Sequence, residues 1–587
     1  MNILGISGFE HSVDFKRANW PGLDEREYRI AQGHDAAAAL VVQGLPVAAA
    51  AEERFNRRKH SGAFPIQAIS YCLREAGISW REVDEVAHSF DYRPYRKLFE
   101  VDPVTARLYD EVFSREALLE AVHRELPGFP DDRVHQVGHH EAHAASAWLT
   151  SGWDECLVVV IDGMGEAHGC SIYTAREGTL HPVRHLAAGD SIGNLYSVLT
   201  LHLGFDFNSD EYKVMGLAPY GDPRRFRPFF DRAVECLDDG SLRIPPLRLN
   251  ATREQRENYT ATRSYLSACL APARRPEEPL TQTHRDIAAA LQECLNRAVL
   301  HICGHFGRQT GLRRLAMAGG VALNCVANAQ LAASGLFDAV YIQPAAADDG
   351  SALGAALARS AHRGVIRNHR SPVPLYGPAY GAGVAGEALR AFAGSIEVTP
   401  FGTTAEACQA AARLIAQGRV IAWCRGRMEF GPRALGNRSI LADPGHPEMR
   451  DRINAMVKKR ESFRPFAPAV SAEQVHRWFD VPPGTCLPYM LQTVPVREGC
   501  RHELPAVTHV DGTARVQTVS AADNPDFYAL LKAAGEATGR EMVLNTSFNV
   551  KGQPIVNRPH EAVETFLGTG IEFLFLENNL VKRRDAA

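Results

Sequence analysis

Cys156-Leu157-Val158-Val159-Val160-Ile161-Asp162-Gly163-Met164-Gly165-Glu166 is the stretch that decides the fold. The unbroken apolar run reads as a strand covered on both faces. It ends in a carboxylate and two glycines, and a second strand follows over residues 169–175. The same order opens the chain. Residues 2–8 read as a strand, Gly33-His34-Asp35 as an acidic glycine turn, and residues 36–43 and 46–51 as two strands joined at Gln43-Gly44. Strand, acidic turn and strand thus occur twice, which points to an internal duplication of an α/β half.

Outward from there the α/β alternation continues. Residues 65–76 have helical spacing, with Pro65 suited to a first turn, and residues 284–305 form a strongly helical segment. Leu315-Ala316-Met317-Ala318 leads into Gly319-Gly320-Val321-Ala322-Leu323-Asn324. Ala339-Val340-Tyr341-Ile342 leads towards Asp348-Asp349-Gly350, read as the end of a further strand. Residues 9–32, polar and charged, interrupt an otherwise tight strand pair and predict a loop or lid. Residues 363–400 carry several prolines and glycines, Pro372, Pro374 and Pro378 among them, and read as the connection to a second domain. A helix over 405–417 and a strand over 420–423 follow. The organisation expected is a domain over 1–375, a linker over 376–400 and a domain over 401–587.

The 587 residues are 45% hydrophobic and 22% charged, with a net charge of -4. That composition fits a globular protein with an ample core and gives no basic excess for nucleic-acid binding. No run of eighteen apolar residues predicts a membrane span. Met1-Asn2-Ile3-Leu4-Gly5-Ile6 lacks the form of a signal peptide. A cytoplasmic location is therefore expected, with twelve scattered cysteines kept reduced.

His139-His140-Glu141-Ala142-His143 places two imidazoles four residues apart, on one face of a helix. Metal ligation and simple packing both fit such a pair. The register is not the HExxH of zinc proteases. Asp162 at a buried strand end favours ligation, because an unpaired carboxylate there is costly. Asp348 offers a fourth ligand. Two imidazoles and two carboxylates suit iron, zinc or manganese better than magnesium. The Gly319-Gly320 turn suits close approach of a phosphate or ribose.

Residues 425–439 hold Arg425, Arg427, Arg433 and Arg438 among glycines. Lys458-Lys459-Arg460 and Arg464-Pro465-Phe466 follow, then Arg515 and Asn545-Thr546-Ser547-Phe548-Asn549. A solvated basic face is one reading. The glycines and Pro432 fix backbone and favour the other, a site for phosphate oxygens gripped by arginine forks.

These motifs together resemble a known family. Gly33-His34-Asp35-Ala36-Ala37, Glu52-Glu53-Arg54-Phe55, Lys59-His60, the His139–His143 run, Asp162–Glu166, Tyr212–Pro219, Gly319-Gly320-Val321, the Gly431–Ser439 run and Leu544–Asn549 look like the O-carbamoyltransferases of the nodulation and cephamycin type, with closest likeness to those acting on ansamycin-type polyketides. The resemblance covers almost the whole chain in order. It implies an α/β protein: a duplicated actin/hexokinase-like N-terminal domain, similar to the tRNA threonylcarbamoyl transferases, and a YrdC-like C-terminal domain. It implies that ATP and carbamoyl phosphate form carbamoyladenylate in the C-terminal domain. The carbamoyl group then passes to a hydroxyl of a secondary metabolite (a polyketide, sugar or alkaloid) at the N-terminal metal site.

Carried over position by position, His139, His143, Asp162 and Asp348 match metal ligands, with Fe(II) expected and Zn or Mn as alternatives. Arg433, Lys458, Arg464, Arg515, Asn545 and Ser547 match positions around carbamoyl phosphate and ATP, with Mg accompanying ATP. Asp162-Gly163 and the Gly319, Gly320 and Asn324 turn match nucleotide contacts. His34 and Lys59 match positions near the transfer site. His34 suits a general base, with positioning or a structural role as its alternatives. Lys59 suits a phosphate contact or an exposed place in the run Arg57-Arg58-Lys59. Asp35 could orient His34 or only cap a turn. The partner expected is a hydroxylated small-molecule acceptor, with room for a homodimer and none for nucleic acid or membrane. The competing reading is an actin-fold small-molecule kinase or ATPase. It explains the phosphate turns but neither the histidine pair nor the C-terminal arginines.

Overall fold

A computed structural model describes every residue except 371–372, 460, 462 and 585–587. Pro372 and Arg460 of the sequence reading lie outside the described residues. Two compact units result. The first comprises Met1–Glu53 and His60–Ser371, the second Arg54–Lys59 and Pro372–Ala587.

The first unit carries the duplication. Strands β1 (Asn2–Ser7), β2 (Ala37–Val42), β3 (Leu45–Ala51), β4 (Glu85–His88) and β5 (Val134–Gln136) form a sheet of order β3-β2-β1-β4-β5. Strands β6 (Cys156–Ile161), β7 (His168–Arg176) and β8 (Thr179–Ala187) precede a short ribbon of β9 (Glu235–Cys236) and β10 (Leu242–Arg243). With β11 (Arg314–Ala318) and β12 (Ala339–Ile342) they form a second sheet of order β8-β7-β6-β11-β12. In each sheet the first three strands are antiparallel and the last two join the first in parallel. Identical order and sense establish two copies of one α/β half. β6 is buried along its whole length, as a strand covered on both faces must be.

Several sequence expectations need correction. Asp348 does not end a strand. β12 stops at Ile342, and Asp348 opens the helix Asp348–His362. Residues 9–32 are not a bare loop. They contain the helix Ser12–Asn19, and the buried Lys16 donates to the carbonyls of Ile30 and Glu257 at 2.6 Å each. Residues 382–400 are not a linker. They form the helix Ala382–Ala391 and an edge strand of the second unit.

That edge strand is β13 (Ile396–Pro400). It joins β14 (Ile421–Cys424), β15 (Arg438–Ala442), β16 (Ala467–Ser471), β19 (Gln517–Val519), β20 (Met542–Ser547), β21 (Phe573–Leu576) and β22 (Asn579–Arg583) in a mixed sheet of order β13-β22-β21-β14-β15-β20-β16-β19. A side ribbon pairs β17 (Thr493–Pro495) with β18 (Thr513–Arg515). Alternate residues feed two cores. Ala422, Ile440, Val470 and Leu544 face one side, and Trp423, Leu441, Ala469 and Val543 the other. Among the described residues no helix is long and apolar enough to cross a membrane.

Candidate functional site

The helix His139–Ser151 starts after Gly138 and ends at Gly152, which adopts the left-handed conformation that glycine tolerates best. Every residue in it except Glu141 is buried. Its two imidazoles therefore project into the protein. His139 Nε2 lies 3.1 Å from His143 Nε2. Asp162 Oδ2 stands 3.2 Å from His139 Nε2 and 3.8 Å from His143 Nε2. Asp348 Oδ1 stands 3.5 and 3.8 Å from the same two atoms. Four ligand atoms thus face one point, all within 4.8 Å of one another.

The surroundings orient this quartet. His139 Nδ1 donates to the Ser89 carbonyl at 3.2 Å, which leaves the Nε2 lone pair directed at the centre. Phe90 stacks on the His139 ring with centroids 4.0 Å apart. Glu166 accepts the backbone N–H groups of His139 and Asp91 at 2.8 Å each. Asp162 follows β6, and its Oδ1 accepts the Gly320 N–H at 3.0 Å. The neighbouring Gly319 has φ +90°, and a Cβ there would lie 2.4 Å from the Ile161 carbonyl oxygen. The Gly319-Gly320 turn therefore serves to hold Asp162.

Charge follows geometry. Burial resists protonation of His139, but Asp348 and Asp162 outweigh it and hold the imidazole well above its ordinary range. Burial would raise both carboxyls, yet the histidines hold Asp162 and Asp348 below the usual carboxylate range. Two nitrogens and two carboxylate oxygens converging in a buried space form a donor set fit for a borderline transition metal such as Fe(II), Zn(II) or Mn(II).

His34 adjoins the quartet. Its Nδ1 is 3.8 Å from Asp348 Oδ2, and its Nε2 is 3.8 Å from Asp35 Oδ2. About a quarter of its side chain is exposed (26%), so a substrate can reach it. Burial lowers its pKa, but Asp35 and then Asp348 outweigh this, leaving the imidazole above its ordinary value. Lys59, expected beside His34, falls in the segment that clusters with the second unit. The Asn324 side chain is engaged structurally. It accepts the Ala327 N–H as a helix cap and exchanges hydrogen bonds with Gln292.

In the second unit the topology gathers the expected residues at one end of the large sheet. Ser439 pairs with Ser547, Ala467 with Asn545, and Ala469 with Gln517. The starts of β15, β16 and β19 and the end of β20 therefore share one edge. Arg433 precedes β15, Lys458 and Arg464 precede β16, Arg515 precedes β19, and Asn545 and Ser547 close β20. Lys458 Nζ donates to Asn549 Oδ1 at 2.7 Å and to the carbonyl oxygen of Ser547 at 2.5 Å. Asn545 Nδ2 donates to the Ala434 carbonyl and to Gln517 Oε1. Asn545 Oδ1 and Ser439 Oγ, both buried here, have no hydrogen-bond partner among the described residues. Orphaned polar atoms of this kind mark a place for a polar ligand. Arg425, Arg427 and Arg438 are tied into the fold. Arg425 pairs with Asp526, Arg427 donates to the carbonyls of Tyr376 and Gly377, and Arg438 donates only to backbone carbonyls.

Sequence reasoning missed Ser89, Phe90 and Glu166 at the quartet. A backbone carbonyl and a stacking ring leave no local signal. Glu166 did have one, since it closes the quoted Asp162–Glu166 turn.

Comparison with known proteins finds two family profiles along the chain. The profile described as Carbamoyltransferase N-terminus matches residues 29–357, and that described as Carbamoyltransferase C-terminus matches residues 412–583. Nodulation protein NolNO of Sinorhizobium fredii is 41% identical over 559 residues, covering 94% of this chain and 80% of the relative. Nodulation protein NolO of Bradyrhizobium diazoefficiens is 42% identical over 454 residues, covering 77% and 80%. Among solved structures, HypF of T. kodakarensis is 14% identical with a TM-score of 0.30, over 62% of this chain and 48% of that one, a likeness too slight to carry an argument. From the two profiles and these relatives, the chain belongs to the carbamoyltransferase family and is an enzyme of carbamoyl transfer.

Proposed function

We propose that the protein is an ATP-dependent O-carbamoyltransferase with its two half-reactions on separate units. The observation that carries this reading is the pairing of a buried two-histidine, two-carboxylate quartet in the first unit with a cationic, amide-lined sheet end in the second. Carbamoyl phosphate and ATP are both polyanions. Arg433, Lys458, Arg464 and Arg515 would offset their repulsion, while Asn545 and Ser547 orient oxygens. Water converts carbamoyl phosphate to carbamate and phosphate. A carbamate oxygen then attacks the α-phosphorus of ATP, forming carbamoyladenylate and expelling pyrophosphate.

In the first unit the acceptor hydroxyl attacks the carbamoyl carbon, its proton passes to the His34 imidazole, and the bond to AMP breaks. His139, His143, Asp162 and Asp348 would hold a transition metal, Fe(II), Zn(II) or Mn(II), which supplies Lewis-acid polarisation of carbamoyl or phosphate oxygens. The acceptor is a small hydroxylated metabolite.

Given carbamoyl phosphate, ATP and an alcohol acceptor, the enzyme should release pyrophosphate and AMP. Release of ADP instead would identify a kinase and end the adenylate reading. Arg464→Ala should abolish pyrophosphate release. His34→Ala should retain it and slow carbamate formation by about 10²–10⁴-fold, the usual weight of a general base.

A further inference from the structure

A chain of amides in the second unit leaves one acceptor unused. Gln517 is 1% exposed, and its Nε2 donates to the Leu435 carbonyl at 2.9 Å. That bond fixes the other end of the amide, and Gln517 Oε1 accepts Asn545 Nδ2 at 2.9 Å. Asn545 Nδ2 also donates to the Ala434 carbonyl at 3.2 Å. An asparagine amide has two N–H donors, and both meet oxygens here. Turned over, the amide would oppose oxygen to oxygen at each contact. Asn545 Oδ1 is therefore left as an acceptor, with no partner among the described residues. Ser439 Oγ is a second orphan. Side chains alternate along a strand, and paired residues share a face. Ser439 precedes Leu441 by one alternation, Asn545 follows Val543 by one, and Gln517 pairs with Ala469, so all three lie on the Trp423 face of the sheet. Ser439 pairs with Ser547, which makes it the diagonal neighbour of Asn545 on that face.

Buried acceptors without a donor are costly, and they call for a ligand that brings N–H or O–H groups. Carbamoyl phosphate carries its N–H groups on the amino nitrogen alone. Only a carbon and a bridging oxygen separate that nitrogen from phosphorus. Asn545 Nδ2 holds the carbonyl of Ala434, the residue after Arg433. The free acceptor thus stands beside the loop that carries an arginine suited to phosphate. One short ligand can meet both. The amino group of ATP, by contrast, lies the length of a nucleoside away from its nearest phosphorus. The loop is also held in place. Glu429 Oε1 accepts the Leu435 and Asn437 N–H groups at 2.7 and 2.8 Å.

We propose that Asn545 Oδ1 and Ser439 Oγ read the amino group of carbamoyl phosphate, and that Gln517 is the positioning residue that keeps the oxygen of Asn545, rather than its nitrogen, turned to it. Gripping the amino group also fixes where the carbamoyl oxygens point. The pair selects for carbamoyl over acetyl. The methyl group of acetyl phosphate matches the amino group in size but leaves both acceptors unpaired. The proposal rests on the reading of this sheet end as the carbamoyl phosphate site, so its test must separate the two.

Full-length enzyme is assayed for pyrophosphate release with ATP and carbamoyl phosphate, and acetyl phosphate is titrated in as an inhibitor. Ser439→Ala should lower kcat/KM for carbamoyl phosphate about tenfold, the weight of one hydrogen bond. It should leave the KM for ATP and the inhibition by acetyl phosphate unchanged. Gln517→Met, of similar length but without the amide, should show the same split. A bracing role alone would weaken every ligand alike. Ser439→Ala removes a single oxygen atom, so it decides the matter even if Gln517→Met does not fold. If Ser439→Ala keeps the parent's kcat/KM for carbamoyl phosphate, or raises the KM for ATP by the same factor, the proposal is overturned and the proposed function stands. If the parent itself releases no pyrophosphate with carbamoyl phosphate, the ATP-dependent reading falls, and with it the proposal.

Discussion

Arg438 shows how a single side chain can be misjudged from its neighbours. It is 1% exposed, and its guanidinium donates to the carbonyls of Arg425, Gly426, Asn437, Pro378 and Asn557. A planar fork with five N–H groups can serve that many acceptors at once, and an ammonium cannot. Arg438→Lys should therefore lower the stability of the second unit by about 3 kcal/mol, leaving buried carbonyls unpaired. Denaturant unfolding checks this, and an unshifted midpoint would refute the bracing role. Arg464→Ala, by contrast, should leave the midpoint nearly unchanged while stopping adenylate formation. The sequence could not separate these arginines, because all sit among the same glycines and prolines. The resemblance matches Arg433, and not Arg438, to the phosphate-binding positions. The quartet was legible for a different reason: helical spacing alone puts His139 and His143 on one face. The pair His60 and Asp35 was only half legible. His60 was visible beside Lys59, but its pairing with Asp35 depends on how a loop returns.

At the scale of elements, helix packing sets the quartet's dimensions. Gly354, in the helix that Asp348 opens, lies so close to the histidine helix that a Cβ there would be 1.8 Å from the Ala142 carbonyl oxygen. Gly354→Ala touches no ligand, yet it should force the Asp348 helix and the His139–His143 helix apart. Overpacking of this kind costs about 1–3 kcal/mol, and metal affinity should fall about 10–100-fold, as when supporting residues are lost. Chelator competition measures it, and unchanged affinity would remove packing as the determinant. A second element effect concerns pH. Glu52 is buried, and its Oε2 accepts the Ala68 N–H at 2.9 Å, capping the helix Ile66–Ala76 from outside. Burial pushes its carboxyl up from 4.5 to about 7, countered in part by the Ala68 and Gln67 N–H groups. A folded-state pKa above the unfolded one means stability fully present below about pH 4.5 and lost as pH rises through 7. Glu52→Gln keeps an acceptor without the charge. It should exceed the parent in stability by about 2–3 kcal/mol at pH 8, with the gap largely closed at pH 5. Urea melts at the two pH values decide, and a pH-independent gap would contradict the assignment. The element types were readable from the sequence where the apolar period was strong, as in β6. Asp348 was misplaced because the five residues between strand and helix, Gln343 to Ala347, carry no period of their own.

For the molecule as a whole, the duplicated half was legible because both copies repeat strand, acidic turn and strand. The eight-stranded sheet was not. Its edge pairs Ile396–Pro400 with Asn579–Arg583 across most of the second unit's length, a register no local pattern encodes. Nor was the segment Arg54–Lys59, which the fold assigns to the second unit. There Arg54 donates to the Gly431 carbonyl at 3.0 Å, and Arg57 donates to the Ile555 and Pro554 carbonyls at 2.8 and 3.1 Å. A protease nick between the units should therefore leave two fragments that co-elute on gel filtration, because the N-terminal fragment carries part of the other's fold. Separate elution in native buffer would show that the segment contributes little. The assignment also bears on how such enzymes can recombine. A crossover near residue 371 alone would join one parent's second half to the other parent's Arg54–Lys59. Functional chimaeras between relatives should need a matched exchange at both places, so that the two halves are inherited together.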